Sequence, residues 1–213
     1  MLRTLSTAAT VLASLAATVA PAAAAPSPPW PLGKMLIDVV SANGSGCPIG
    51  TADATVSPDN KAFTVTYSAF TAQVGAGAKP LDFRKNCQLA LNVDVPQGYT
   101  FAIARTDYRG FAHLERGASA TQSSTYYFQG EFQTHRTRHD FTGPADGDWQ
   151  RSDTIGISSL SFLPCGEQRF LNVNTELRVN GGWSDRRKTT SLLTMDSTDG
   201  NLDTVYHVAW KKC

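Results

Sequence analysis

The sequence predicts an all-β fold, a two-sheet antiparallel β-sandwich stapled by two disulfides, from three observations. Apolar and polar residues alternate with period two in one segment after another from residue 34 onward. Gly, Pro, Asn and Asp cluster between those segments, and no long apolar pattern at helical period occurs beyond the first 25 residues. The four cysteines, Cys47, Cys87, Cys165 and Cys213, are dispersed, with none in a C-x-x-C pair. Short strands with one apolar face each must bury those faces against a second sheet or close into a barrel. A sandwich is expected over a barrel because Cys87 falls on an inner face, where a bridge can hold two layers together.

Residues 1–25 carry one charge, Arg3, followed by an Ala/Leu/Val-rich run to Ala20 and the small residues Ala22 to Ala25. This is the pattern of a secretory signal peptide. The run is too short and too alanine-rich for a membrane span, and no second run of about 20 apolar residues exists. The mature chain is therefore expected to be soluble, secreted and extracellular. Residues 26–33, containing Pro26-Ser27-Pro28-Pro29-Trp30-Pro31, form a Pro-rich spacer, and residues 34–213 form a single domain long enough for one sizeable core. Asn43-Gly44-Ser45-Gly46-Cys47-Pro48 makes a fixed corner between two strand-like segments. Glycine opens backbone angles closed to other residues, and Pro48 fixes its own φ and extends Cys47. Asn43-Gly44-Ser45 also fits the N-glycosylation pattern.

The strands follow in order. Phe63, Val65 and Tyr67 alternate with Thr64, Thr66 and Ser68. Cys87, Leu89, Leu91, Val93 and Val95 alternate with Gln88, Ala90, Asn92 and Asp94, which places Cys87 on the core face. Tyr99, Phe101 and Ile103 begin a further strand, and Tyr126, Phe128 and Phe132 mark another. Leu171, Val173, Leu177 and Val179 alternate with Asn172, Asn174, Glu176 and Arg178; Tyr206, Val208 and Trp210 alternate with His207 and Ala209. Turns are expected at Pro58-Asp59-Asn60, Pro96-Gln97-Gly98, Gly143-Pro144-Ala145-Asp146-Gly147, Asn180-Gly181-Gly182 and Asp199-Gly200-Asn201.

An even, dispersed set of cysteines in an exported chain reads as two disulfides, not as a metal site. Local loops of the Cys47/Cys87 and Cys165/Cys213 kind are each worth roughly 4 kcal/mol and the longer alternatives only about one more. Proximity in sequence favours the two local pairs. Removing Arg3 with the leader leaves 18 basic against 18 acidic residues. A neutral surface argues against a general binder of nucleic acid or anionic membrane. The pairing of Asn43-Gly44-Ser45-Gly46-Cys47-Pro48 with a later Lys85-Asn86-Cys87-Gln88, in a chain of this length, resembles the secreted family catalogued as domain of unknown function 4360. The resemblance covers most of the mature chain, implies export and a cysteine-stapled domain, and brings no catalytic residue with it.

Candidate chemistry is sparse. His135 and His139 stand four apart, but Arg136 replaces the glutamate of a zinc helix motif and Arg138 adds a second like charge, so a strand end or exposed loop is expected. The same run offers an anion-binding patch. Asp196, Asp199, Asn201 and Asp203 make a calcium-like pattern without the glycine and distal glutamate of an EF-hand, so a hairpin turn explains them more simply. Asp146 and Asp148 flank Gly147 before Trp149, suiting a sugar site or, more plainly, a soluble turn. No serine stands in a G-x-S-x-G context; Ser45, Ser158 and Ser159 come nearest. No metal, cofactor or prosthetic group is expected.

The most regular polar strip is Asn172, Asn174, Glu176 and Arg178, with Trp183 close behind. Trp30, Trp149 and Trp183 occupy linker or turn-like contexts where an indole can be exposed, and exposed aromatic and amide groups suit stacking on sugars. The solvated side of an ordinary antiparallel sheet is the plainer reading of the strip. The functional expectation is a non-catalytic extracellular protein that binds a glycan, a cell-wall component or a protein through these five residues, with little salt dependence at neutral net charge. The alternative is a secreted hydrolase whose site is assembled from distant loops.

Overall fold

The computed structural model describes residue 31, residues 33–195 and residues 203–213. The leader, most of the spacer including Trp30, and Asp196, Asp199, Gly200 and Asn201 lie outside the described residues. The fold is all-β, with twelve described strands in two antiparallel sheets. The first sheet holds β1 (Leu36–Asn43), β5 (Arg84–Asp94), β10 (Leu171–Asn180), β7 (Ser119–Phe128) and β8 (His135–Thr142), in that order across its width. The second holds β2 (Ala52–Val56), β3 (Ala62–Tyr67), β4 (Thr71–Gly75), β6 (Tyr99–Leu114), β9 (Ala145–Thr154), β11 (Thr190–Thr194) and β12 (Thr204–Lys212), arranged around the 16-residue β6. One short 3-10 turn covers Ile157–Ser159, and among the described residues no helix is long and apolar enough to cross a membrane.

Alternation is what builds the core. Phe63, Val65 and Tyr67 of β3, Cys87, Leu89, Leu91 and Val93 of β5, and Leu171, Val173, Leu177 and Val179 of β10 are all buried, as their period-two spacing requires. The layers meet through aromatic pairs: Phe101 against Phe128 at 5.3 Å, Tyr126 against Tyr206 at 6.3 Å, and Phe141 against Trp149 at 4.9 Å between ring centroids. The core is not wholly apolar. Gln122 and Ser124 of β7, Thr175 of β10 and Thr106 of β6 face inward among Tyr67, Tyr108, Tyr126 and Tyr206.

Both expected disulfides are present, Cys47–Cys87 and Cys165–Cys213. The corner at Asn43 to Pro48 closes on the second cysteine motif as a clasp. Gly46 N–H donates to the Asn86 carbonyl at 2.8 Å, Ser45 Oγ donates to Asn86 Oδ1 and Asn86 N–H donates to Ser45 Oγ, both at 3.3 Å. Gly44 has φ +138° and would place a Cβ 2.1 Å from the Asn86 carbonyl oxygen, so no side chain fits there. The bridge ties β5 to the β1–β2 crossover between the sheets.

Three expectations need correction. Phe132 lies in the β7–β8 connection, fully exposed, because the strand ends at Phe128. The turn expected over Gly143 to Gly147 is confined to Gly143 and Pro144; from Ala145 the chain is already β9, paired with β6. Trp149 therefore sits inside a strand and is buried against Phe141, not held out in a turn.

Candidate polar binding face

The polar positions of β10 lie on the outer face of the first sheet, since the positions between them fill the core. β10 is the central strand, and register puts one row of side chains across the sheet at each outward residue. Asn174 stands between Gln88 of β5 and Thr125 of β7, with Asn43 and Arg136 beyond them at the edges. Glu176 stands between Asn86 and Ser123, with Arg138 beyond. Arg178 stands between Arg84 and Thr121, with Asp140 beyond. The twist of the sheet makes this face an open depression of about 460 Å³ floored by Asn86, Gln88, Asn174 and Glu176 and bordered by Arg84, Arg136 and Arg138.

Glu176 is the electrostatic centre of the face. Arg84 Nε donates to Glu176 Oε2 at 2.7 Å, and Arg178 Nη2 donates to Oε1 at 3.1 Å. Burial raises the carboxyl pKa, but Arg84 and then Arg178 outweigh it and hold the group below its ordinary value. Glu176 therefore stays ionised and fixes both guanidinium groups in place. Arg138 is likewise anchored, donating to Asp140 at 2.8 Å.

Of the five residues singled out from the sequence, Asn174, Glu176 and Arg178 come together on this face. Asn172 is next along the strand, beside Ala90 and Tyr127 and away from the depression. Trp183 lies past the end of β10, on the Gly181–Ser184 turn, and is 73% exposed. Its indole covers Gly117, where an added Cβ would lie 2.3 Å from the ring, so one face is backed by protein and the rest is open. At about 3.3 Å per residue, Trp183 is roughly 30 Å along the chain from Asn174. A ligand touching both must be extended.

Sequence reading missed Arg84, Asn86, Gln88, Arg136 and Arg138 as members of the site. The signal for the last two was strand alternation within His135 to His139. In β8 the histidines turn inward, His135 stacking on Tyr126 and His139 lying between Gln122 (2.7 Å) and Asp153 (3.3 Å), while Arg136 and Arg138 turn outward. The two histidines are spaced along a strand and cannot share one metal ion. Among the described residues no group of three or more His, Cys, Asp or Glu could hold a metal. Asp203, the described member of the calcium-like run, has its pKa raised by burial.

The nearest approach to a Ser/His/Asp constellation among the described residues lies on the outer face of the second sheet. Ser152 Oγ donates to Asp107 Oδ1 at 2.5 Å, and His207 Nε2 contacts Asp107 Oδ2 at 2.8 Å. The carboxylate sits in the middle, so the serine hydroxyl points at an acid instead of at an imidazole base. That order cannot activate the serine. Burial raises the Asp107 carboxyl pKa, but Ser152, His207 and Arg105 together lower it further, which suits a structural acceptor better than a general acid. Asp146 contacts His113 at 3.1 Å on the exposed side of β9 and has no second carboxylate as partner there.

An uncharacterised secreted protein of Arthroderma benhamiae is 37% identical over 180 residues, covering 84% of this chain and 72% of that protein. The family described as a domain of unknown function, DUF4360, matches residues 33–213, from just before β1 to the last cysteine. The clasp accounts for why Asn43 to Pro48 and Lys85 to Gln88 occur together in one sequence, and the chain belongs to the DUF4360 family.

Proposed function

We propose that the mature chain is exported and acts outside the cell as a non-catalytic binding protein, with an extended glycan or cell-wall polysaccharide lying across the outer face of the first sheet. The observation that carries this reading is the set of amide and hydroxyl rows on the central strands, Asn174 with Gln88 and Thr125 and Glu176 with Asn86 and Ser123, held on a rigid sheet. Paired donors and acceptors at fixed spacing match the hydroxyls of a sugar chain. Trp183 supplies an open aromatic surface further along. Export is supported by the leader pattern, the two disulfides and the secreted relative.

The test is retention of the purified mature protein on insoluble polysaccharides and cell-wall fractions, repeated with Asn174→Ala and Trp183→Ala. Each variant should bind several-fold more weakly at unchanged melting temperature, since one lost hydrogen bond is worth about 1 kcal/mol. Undiminished binding by both variants would place the ligand elsewhere. Turnover of a polysaccharide that is lost on replacing Asp107 or Asp153 would replace this reading with a hydrolase.

A further inference from the structure

The neutral total charge conceals an uneven distribution. Around the depression stand four guanidinium groups, Arg84, Arg136, Arg138 and Arg178, against two carboxylates, Glu176 and Asp140. Glu176 is shared by two arginines and Asp140 is engaged by Arg138. Arg136 is exposed and has no ion-pair partner among the described residues. A guanidinium carries five N–H donors, so the engaged arginines also keep donors free.

The positive band continues beyond β10. A second open depression of about 510 Å³ adjoins the first through Arg178, and its lining adds Lys79 and Arg186 with no acidic side chain. Strands lie about 4.8 Å apart, so the band from Arg136 on β8 to Arg178 on β10 crosses two strand spacings, about 10 Å, before reaching the second depression. Charge spread along a line of that length fits a linear polyanion better than a single small anion.

We propose that this face selects an acidic polysaccharide, one whose sugar rings carry carboxylates. The amide rows meet the hydroxyls, while Arg136, Arg178 and the Lys79/Arg186 end meet the carboxylates as charge-assisted hydrogen bonds. The inference rests on the binding-face reading above and adds the charge of the ligand to it. It also reverses the weak salt dependence expected from net charge, because local potential, not the total, acts on a ligand within a Debye length.

The probes are polygalacturonate, the same polymer with its carboxyls methyl-esterified, and poly-L-glutamate as a polyanion without sugar, each titrated into the mature protein at low and at physiological ionic strength. Polygalacturonate should bind at least about tenfold more tightly than its neutral ester and lose that advantage as salt rises. Arg136→Gln and Arg178→Gln should each weaken it about tenfold without changing affinity for the ester, and Asp140→Asn, which removes a competing carboxylate, should tighten it. Equal binding of acid and ester would overturn the charge inference and leave the binding face standing. Poly-L-glutamate binding as tightly as polygalacturonate would overturn the glycan class. Failure of both polysaccharides to bind would remove the binding-face reading itself.

Discussion

Gly110 and Trp149 face each other across β6 and β9, and the indole occupies the space a side chain at Gly110 would need. A Cβ there would lie 2.5 Å from the Trp149 ring and 2.0 Å from the Thr194 carbonyl oxygen. Backbone on one side and a buried ring on the other leave nowhere to yield, so Gly110→Ala should lose about 3 kcal/mol, the upper end for overpacking. Gly98 has φ +80° but nothing within 4 Å of an added Cβ, so Gly98→Ala should lose only about 1 kcal/mol. Urea denaturation of the two variants checks this, and equal losses would remove the role given to the Trp149 contact. Trp149 and Trp183 show how far single residues could be read. Both follow glycine and aspartate or glycine pairs, yet one is buried and the other open, because Phe141 on a distant strand covers the first and only Gly117 backs the second.

Strands with a clean apolar face, such as β3, β5 and β10, were legible because their inner residues are Phe, Val and Leu. β7 and β8 were not, because their inner positions include Gln122, Ser124 and His139, which satisfy one another and Asp153 only after the layers have met. The outward Arg136 and Arg138 were hidden for the same reason. At the clasp, Cys47 and Cys87 are buried, whereas Cys165 and Cys213 are exposed. Their sequence separations are 40 and 48, so chain entropy alone makes the two bridges nearly equal. Cys87→Ala should nevertheless be the costlier change, about 4 kcal/mol, since it also opens a packed site, and Cys165→Ala should cost about 2. Denaturation under non-reducing conditions decides between them; a larger loss at Cys165 would show that the clasp does not carry the difference.

The whole molecule should resist both pH extremes for identifiable reasons. Ser152, His207 and Arg105 keep Asp107 below its ordinary pKa despite burial, so its stabilising contribution is complete above the unfolded value of about 3.9 and is lost as pH falls through the lower folded value. Asp107→Asn should flatten the fall in melting temperature with acid over that window, and an unchanged acid profile would contradict it. At the other end, burial raises the pKa of Tyr67, Tyr108, Tyr126 and Tyr206, so these hydroxyls keep their protons in the folded state while the unfolded chain loses them above about pH 10. Stability should therefore decline as pH rises beyond 10, and these four of the six tyrosines should ionise, followed by ultraviolet absorbance, only with unfolding.

Period-two alternation, dispersed cysteines and turn residues were enough to establish two stacked antiparallel sheets, the bridge pairing and the outward strip on β10, because each depends on local pattern or on short loops. Register is different. Which strand lies beside which is settled by the packing of whole faces, and that alone brings Arg84, Arg136 and Arg138 from three separate segments to the border of Asn174 and Glu176. Net charge, being a sum over the chain, contains no trace of that gathering. The tertiary structure decided the sign of the face because charge acts over distance in space, and residues 84 and 136 become near neighbours only once β5, β10, β7 and β8 are laid side by side.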